Sequence, residues 1–90
     1  MKHLKIKVHG SVHGVGFRGA AKREADILEI AGFVRNQKDG TVNIEAEGEE
    51  AALNEFLEWC RNGPEIAKVE KVEVVFSDDI RYYKEFRIQW

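Results

Sequence analysis

Three glycines and an arginine lie within nine residues near the start of the sequence, where they could bind an anion. Gly10, Gly14 and Gly16 permit positive φ angles and carry no side chain, so successive backbone N–H groups can turn inward and form a concave site. A helix that begins after them adds unpaired N–H groups and the positive end of its dipole. Arg18 adds a planar, permanently charged group that can hold two phosphate oxygens. The segment could therefore bind a phosphate, although a plain tight connection followed by a surface arginine would look the same.

The residues around this segment predict five strands and two helices. Alternating apolar residues are typical of strands, and apolar residues spaced by three and four are typical of helices. Asp39-Gly40 is a strong hairpin signal, and Asn62-Gly63-Pro64 ends a helix. In order, we predict a strand at 3–9, a helix at 19–31, strands at 33–37 and 41–47, a helix from 49 that ends before 62, and strands at 69–76 and 85–90.

The same patterns predict which side chains face the core and which face solvent. His3 and His9 lie on the polar side of the first strand and are expected to be exposed, and we interpret the acidic residues at 45, 47, 49 and 50 as solvated. The predicted inward-facing residues are Leu4, Ile6, Val8, Ala21, Ala25, Leu28, Leu53, Phe56, Leu57, Cys60, Val72, Val74, Phe76, Phe86, Ile88 and Trp90.

The order of the elements predicts an α+β fold. A βαββαβ order with one final strand fits a ferredoxin-like sandwich, an antiparallel sheet of four to five strands with two helices on one face. In such a split βαβ unit the first two strands are parallel and the third lies between them. Their carboxyl ends therefore share one edge of the sheet, which places the glycine segment close to Asn36.

The hairpin register determines which way Asn36 points. A two-residue loop of Asp39-Gly40 would pair Arg35 with Ile44 and bury the arginine against the helices at high cost. A three-residue loop of Lys38-Asp39-Gly40, with the glycine left-handed, pairs Val34 with Ile44 and Asn36 with Val42. We predict the three-residue loop. It leaves Asn36 as a polar side chain on an apolar row, where it needs water or a ligand as partner.

Composition favours one small soluble domain. Ninety residues, 43% of them hydrophobic, suffice for one modest core, so we expect a single domain over residues 1–90. No stretch has the character of a signal peptide or membrane span, which favours a cytoplasmic protein with no membrane partner. The single cysteine, Cys60, cannot form an internal disulfide, and no Cys/His spacing predicts a metal site. The net charge of −2 is interspersed, so no broad basic field favours nucleic acid.

Two segments of the sequence match signatures of a known family. Residues 10–18, GSVHGVGFR, resemble the acylphosphatase signature G-x-V-Q-G-V-x-F-R, and residues 32–42, GFVRNQKDGTV, resemble its second signature, G-x-V-x-N-x-x-D-G-x-V. Between them Ala25 and Leu28 match A-x-x-L, and residues 63–72 resemble G-P-x-x-A-x-V-x-x-V. The matches occur in the family's order over nearly the whole chain, and the family has the fold predicted above.

The resemblance implies an enzyme that hydrolyses the carboxyl–phosphate bond of acyl phosphates to a carboxylate and inorganic phosphate. It implies no cofactor and no metal, and a small-molecule acyl phosphate as partner. Separately, we expect a monomer rather than an oligomer. Asn36 would orient the attacking water. The phosphoryl group would be held by the Arg18 guanidinium and by the backbone of His13, Gly14, Val15, Gly16, Phe17 and Arg18.

Three residues depart from the family pattern. His13 stands where glutamine is usual, and we expect a solvated loop histidine. Glu29 replaces a glycine near the end of the first helix, so the helix should end differently. Gly19 directly follows Arg18 and could loosen the first helical turn.

Two other classes of function stay open from the residues alone. The same fold carries RNA-recognition sheets, and Phe33 with the basic side chains of the first strand could lie on the open face. However, Glu45, Glu47 and Glu73 share that face, and no aromatic-rich RNA-recognition signature is present. The second alternative is a regulatory domain that binds a small anion without turning it over.

Overall fold

The computed structural model describes all 90 residues, from Met1 to Trp90. Every predicted element is present, and the boundaries differ by one or two residues except at the first helix. The elements are β1 (Lys2–Ser11), α1 (Phe17–Ile27), β2 (Ala31–Asn36), β3 (Val42–Gly48), α2 (Glu50–Asn62), β4 (Lys68–Ser77) and β5 (Phe86–Gln89).

The strands form a single sheet in the order β4-β1-β3-β2-β5. β1 pairs antiparallel with β3 and β4, and β2 pairs antiparallel with β3. β1 and β2 are therefore parallel with β3 between them, as the split βαβ interpretation predicts. The last strand, β5, pairs parallel with β2, so the sheet is mixed where a purely antiparallel one was expected. The predicted α+β ferredoxin-like architecture is confirmed.

The core lies between one face of the sheet and the two helices. α1 packs over β2 and β5, and α2 packs over β1 and β4. Leu4, Ile6 and Val8 of β1 are all buried, as their alternation predicts. The helices contribute a buried stripe at the predicted spacing, consisting of Ala21, Ala25, Leu53, Phe56, Leu57 and Cys60.

Two aromatic residues that were predicted to face the core are exposed. Phe76 is 54% exposed because it lies near the end of the edge strand β4, opposite Leu4. Trp90 is 93% exposed because it lies beyond the last residue of β5, past the edge of the helix layer. In both cases the alternation predicts the correct side of the sheet. The residue itself, however, lies past the part of the sheet that a helix covers.

The β2–β3 hairpin has the predicted register. Val34 pairs with Ile44, and Asn36 pairs with Val42, which leaves residues 38–40 as the loop. Asn36 therefore lies at the end of β2 on the same side of the sheet as the buried Val34.

The loop of this hairpin is fixed by local hydrogen bonds. The Gln37 N–H donates to the Thr41 carbonyl at 2.8 Å, and Gly40 is left-handed at φ 91°. The Asp39 carboxylate accepts hydrogen bonds from the Thr41 hydroxyl and the Thr41 N–H. These bonds lower the pKa of Asp39 to about 2, which agrees with a turn-forming role for this carboxylate.

Helix α1 ends four residues earlier than predicted because Glu29 adopts a left-handed conformation, with φ 58°. The Glu29 N–H donates to the Asp26 carbonyl at 3.2 Å, and the Ile30 N–H donates to the Ala25 carbonyl at 2.9 Å. Such bonds close the end of a helix and usually involve a glycine at the left-handed position. A glutamate occupies that position here, and the buried Ile30 then leads into β2.

The prediction that His3 is exposed is wrong. His3 is 1% exposed, and its Nδ1 atom lies 2.7 Å from Glu47 Oε2 while its Nε2 atom lies 3.0 Å from Glu45 Oε1. The Tyr83 hydroxyl donates to Glu45 at 3.0 Å from the segment that precedes β5. This segment crosses the otherwise open face of the sheet and covers His3.

Glu47 ties the same segment to the sheet, so the prediction that it is solvated is also wrong. Its carboxylate accepts hydrogen bonds from the backbone N–H groups of Arg81 and Tyr83, as well as contacting His3. Burial alone would raise the pKa of Glu47, but these donors outweigh burial and hold the pKa below its ordinary value. Glu47 therefore fixes the path of the chain into β5.

We predict that Glu47→Gln lowers the free energy of unfolding at neutral pH by about 2 kcal/mol, because an amide nitrogen would replace one of the accepting oxygens. Urea denaturation measures this effect. Since the folded-state pKa of Glu47 is depressed, its contribution is present above the unfolded pKa of about 4.3 and is lost as the pH falls through the folded pKa. The difference between the two proteins should shrink in acid.

Glu73→Gln is the matched control, since Glu73 is also paired with a β1 histidine, His9, but is exposed. Its cost should be much smaller than that of Glu47→Gln, because solvent screens an exposed ion pair. Equal costs for the two variants would contradict the anchoring role of Glu47.

Candidate active site

A cavity of about 280 Å³ opens at the edge of the sheet where β1 ends. It brings together the carboxyl ends of β1 and β2, the first turn of α1 and the end of β5. Five of the seven predicted site residues line it, whereas His13 and Val15 do not. The lining residues are Val12, Gly14, Gly16, Phe17, Arg18, Gly19, Asn36, Ile88 and Trp90.

The backbone that leads into α1 leaves N–H groups free at this cavity. Gly14 and Gly16 are left-handed, with φ 71° and 75°. Gly16 is the N-cap, no side chain caps the helix, and the first helical bond runs from the Ala20 N–H to the Gly16 carbonyl at 3.0 Å. The N–H groups of the first turn therefore lack intrahelical partners, and no acidic side chain lies in that turn. This helix end has positive potential without a built-in counter-charge, which favours an anion.

Arg18 adds a full positive charge to the same helix end. A cation there is unfavourable on its own, because it lies at the positive end of the helix dipole. Its guanidinium lies over the Trp90 ring, with Cζ 4.3 Å from the ring centroid, and its Nη1 lies 3.4 Å from the Gln89 carbonyl oxygen. No carboxylate within 4.0 Å forms an ion pair with Arg18. The charge is therefore available to a bound anion.

Asn36 reaches the cavity from the end of β2. It is half-buried, and its carboxamide makes no hydrogen bond to another protein group. A carboxamide both donates and accepts hydrogen bonds, so it can hold a water molecule in a defined orientation. The fold thus places Asn36 beside Arg18 and the loop glycines, as the topology predicts.

His13 points away from the cavity and joins the glycine segment to the β2–β3 hairpin. Its Nε2 atom lies 2.8 Å from the Thr41 carbonyl oxygen. Because a carbonyl can only accept, Nε2 carries a proton in this contact. His13 is exposed, as expected for a loop histidine, and its ring also braces the loop through this contact. Thr41 is itself buried, so the brace connects the loop to a fixed point next to the strand that carries Asn36.

Trp90 lines the cavity, although the sequence analysis predicted only that it faces the core. Val34 of β2 pairs with Ile88 of β5, and Asn36 and Trp90 each lie two residues further along these parallel strands. Since side chains alternate, both residues lie on the helix side of the sheet and at the same edge. The signal was the inward alternation in β5, which leads to the cavity once β5 is known to run parallel to β2.

A second cavity, also about 280 Å³, lies on the open face of the sheet. Lys5, Lys7 and Arg35 line it together with Glu45 and Glu73, so opposite charges are mixed on this surface. The Phe33 ring at its wall is already contacted by the Arg35 guanidinium at 5.4 Å and by the edge of Tyr83 at 6.0 Å. This face therefore lacks the free aromatic platform that would favour an RNA-recognition sheet.

The remaining reactive side chains do not form a second chemical centre. No group of three or more His, Cys, Asp or Glu side chains is placed to hold a metal ion. Cys60 is buried in the α2 stripe, and burial raises the pKa of its thiol, so it is a core residue as predicted. Neither helix has the length and apolar character that crossing a membrane would require.

Comparison with known proteins agrees with this site. The family model described as Acylphosphatase matches residues 4–88. The chain is 44% identical over 90 residues to an acylphosphatase of Thermotoga maritima, covering 100% of this chain and 99% of the other. It is 41% identical over 88 residues to an acylphosphatase of Salinibacter ruber, covering 98% and 93%.

The solved structures lead to the same result. The crystal structure of acylphosphatase from Bacillus subtilis superposes with a TM-score of 0.97 at 41% identity and covers 100% of both chains. A structure of an acylphosphatase from Coxiella burnetii gives a TM-score of 0.93 at 31% identity, covering 98% of this chain and 92% of the other. Sequence, fold and the arrangement of the cavity therefore agree that this chain belongs to the acylphosphatase family.

Proposed function

We propose that this chain hydrolyses acyl phosphates to a carboxylate and inorganic phosphate by in-line attack of water on phosphorus. Backbone N–H groups of residues 13–18 and the Arg18 guanidinium hold the phosphoryl oxygens. The Asn36 carboxamide orients the water. The observation that carries the proposal is that Arg18, Asn36, Gly14 and Gly16 line one cavity at the N-terminus of α1.

Phosphoryl transfer suits this small set of groups. In such reactions the protein mainly positions the reactants and stabilises the charge on the three outer oxygens. Free N–H groups at a helix N-terminus and a guanidinium fork provide that stabilisation without further side chains. The attacking water needs only the correct position opposite the leaving group, and a fixed hydrogen-bonding side chain supplies it.

The leaving group explains why no general acid is required. A departing carboxylate has a conjugate acid with a pKa of about 4, so it leaves as an anion at neutral pH. The cavity lining contains no carboxylic acid, histidine or lysine that could protonate a poorer leaving group. The same set of groups should act poorly on ordinary phosphate monoesters, whose alkoxides need protonation.

The proposal also includes the assembly state, location and partners of the protein. The protein acts as a monomer on a small-molecule acyl phosphate in the cytoplasm, without cofactor, metal or nucleic acid. Arg18 and the loop amides supply the positive charge that a metal ion supplies in many other phosphoryl-transfer sites.

Substitutions of Arg18 and Asn36 should have different effects on phosphate binding and on turnover. Arg18→Ala should lower kcat for benzoyl phosphate by roughly a thousandfold and weaken inorganic phosphate binding by roughly a hundredfold, because it removes a charged bidentate contact. Asn36→Ala should lower kcat by roughly a hundredfold and leave phosphate binding within about threefold, because only the water loses its partner. Initial rates of phosphate release, with phosphate as competitive inhibitor, measure both effects.

Arg35→Ala and Asn62→Ala are the matched controls, since both side chains are exposed outside the cavity. Each should retain near wild-type kinetics. Near-normal turnover by Arg18→Ala or Asn36→Ala would reject the role proposed for that residue.

The glycine conformation can be tested by two alanine substitutions in the same loop–helix junction. Gly16→Ala places a side chain at φ 75° with nothing within 4 Å of the new atom, so its cost is backbone strain of about 1–2 kcal/mol. Gly19→Ala lies inside α1, meets only the Arg23 side chain at 3.7 Å, and should stabilise the protein by up to about 1 kcal/mol. Urea denaturation should give these opposite signs, and Gly16→Ala should also weaken phosphate binding. A neutral Gly16→Ala variant that binds phosphate normally would contradict the proposed cradle.

Removal of metal ions should leave the activity unchanged. Prolonged dialysis against a chelator, followed by the benzoyl phosphate assay in chelator, should give the wild-type kcat/KM because Arg18 and the amides provide the charge. A loss of activity that Mg²⁺ or Zn²⁺ restores would contradict metal independence.

A further inference from the structure

Trp90 has a position that core packing does not explain. It is 93% exposed, yet its ring lies 4.3 Å from the Arg18 guanidinium carbon and lines the proposed phosphate cavity. A tryptophan at the surface buries little apolar area, and the aromatic contact that its ring makes is with the Arg18 guanidinium. We propose that Trp90 is a positioning residue that holds Arg18 in the orientation needed to bind the phosphoryl group.

An aromatic partner suits this role because it attracts a guanidinium without accepting its N–H hydrogen bonds. A carboxylate partner would also fix the arginine, but it would occupy the same donors that a phosphate needs and would cancel the charge. An aromatic ring attracts the cation through its quadrupole and takes none of the in-plane hydrogen bonds.

A second contact from the same part of the chain supports the arrangement. Arg18 Nη1 lies 3.4 Å from the carbonyl oxygen of Gln89, the residue before Trp90. The guanidinium therefore has two contacts with this part of the chain, one with the Gln89 carbonyl at the end of β5 and one with the ring of Trp90, the next residue. β5 is parallel to β2, and the helix-side row that contains Ile88 and Val34 continues to Trp90 and Asn36. Asn36 and Trp90 thus reach the cavity from the same ends of two adjacent parallel strands.

The energetic consequence concerns binding more than the chemical step. A free arginine side chain samples many rotamers, and phosphate binding must then order it. The contact with Trp90 orders the side chain before the ligand arrives. Because the side chain is ordered when the substrate binds and stays ordered in the transition state, loss of the Trp90 contact should raise KM and leave kcat nearly constant.

The predicted effect on KM rests on the proposed function. The predicted effect on inorganic phosphate binding does not, because it is measured without turnover. Trp90→Leu keeps an apolar side chain but removes the aromatic face, and Trp90→Phe keeps a weaker face. We expect Trp90→Leu to weaken phosphate binding, measured by calorimetry, by about fivefold, with Trp90→Phe between Leu and wild type. KM for benzoyl phosphate should rise by the same factor, with kcat within about twofold.

Phe76→Leu is the matched control, because Phe76 is also an exposed aromatic residue but lies near the opposite end of β1, across from Leu4. It should leave phosphate affinity unchanged. Circular dichroism and urea denaturation should show that all variants fold, since Trp90 is almost fully exposed. An affinity for phosphate in Trp90→Leu that equals wild type would overturn the proposal. So would a loss of kcat without a change in KM.

Acetyl phosphate distinguishes this role from a platform for the acyl group. Positioning of Arg18 acts on the phosphoryl end that all substrates share, so Trp90→Leu should raise KM for acetyl and benzoyl phosphate by the same factor. A rise confined to benzoyl phosphate would show that Trp90 recognises the acyl group instead, and would overturn the proposal. If the wild-type protein turned over neither substrate, the proposed function would fail, while the phosphate affinities would still decide the role of Trp90.

Discussion

A positive helix end with no internal counter-charge is the constraint on which the candidate site depends. Gly14 and Gly16 turn the chain through left-handed conformations, so α1 begins with free N–H groups that face a cavity. Most helices satisfy such groups with a capping side chain or an acidic residue, and α1 has neither. Arg18 increases the positive charge at this point. An anion that accepts several hydrogen bonds is the ligand that removes this unfavourable arrangement.

The sheet topology brings the other parts of the site to this helix end. β1 delivers the loop, β2 delivers Asn36, and β5 delivers Trp90, all at the same edge. The position of β5 depends in turn on the segment before it, which Glu47 and Glu45 hold across the open face through Arg81 and Tyr83. The hydrogen bonds of Glu45 and Glu47 on the open face of the sheet thus help to position β5. The end of β5 lies at the cavity, which is on the helix side of the sheet.

Much of the fold and the central part of the site could be predicted from the sequence. Asp39-Gly40 and the cost of burying Arg35 determined the hairpin register, and that register placed Asn36 correctly. Local patterns were sufficient because strand alternation, helix spacing and turn chemistry all depend on nearby residues. The resemblance over residues 10–18 and 32–42 then gave the family, which the comparisons confirm.

The errors have a common physical cause. Alternation tells which side of a strand His3 and Glu47 occupy, but it does not tell that an irregular segment later crosses that side and buries them. The approach of Trp90 to Arg18 depends on the parallel pairing of β5 with β2, a contact between residues far apart in the chain. The contact between His13 and Thr41 is also long-range. Local sequence rules contain no information about such contacts.

The most direct test of the central claim is a titration with inorganic phosphate, followed by the NMR signals of the amide groups. The account predicts that the largest shifts occur at the backbone N–H groups of Gly14 to Arg18 and at the Asn36 carboxamide, and that they saturate together. Shifts centred on Lys5, Lys7 and Arg35 of the open face, with the loop signals unchanged, would contradict it.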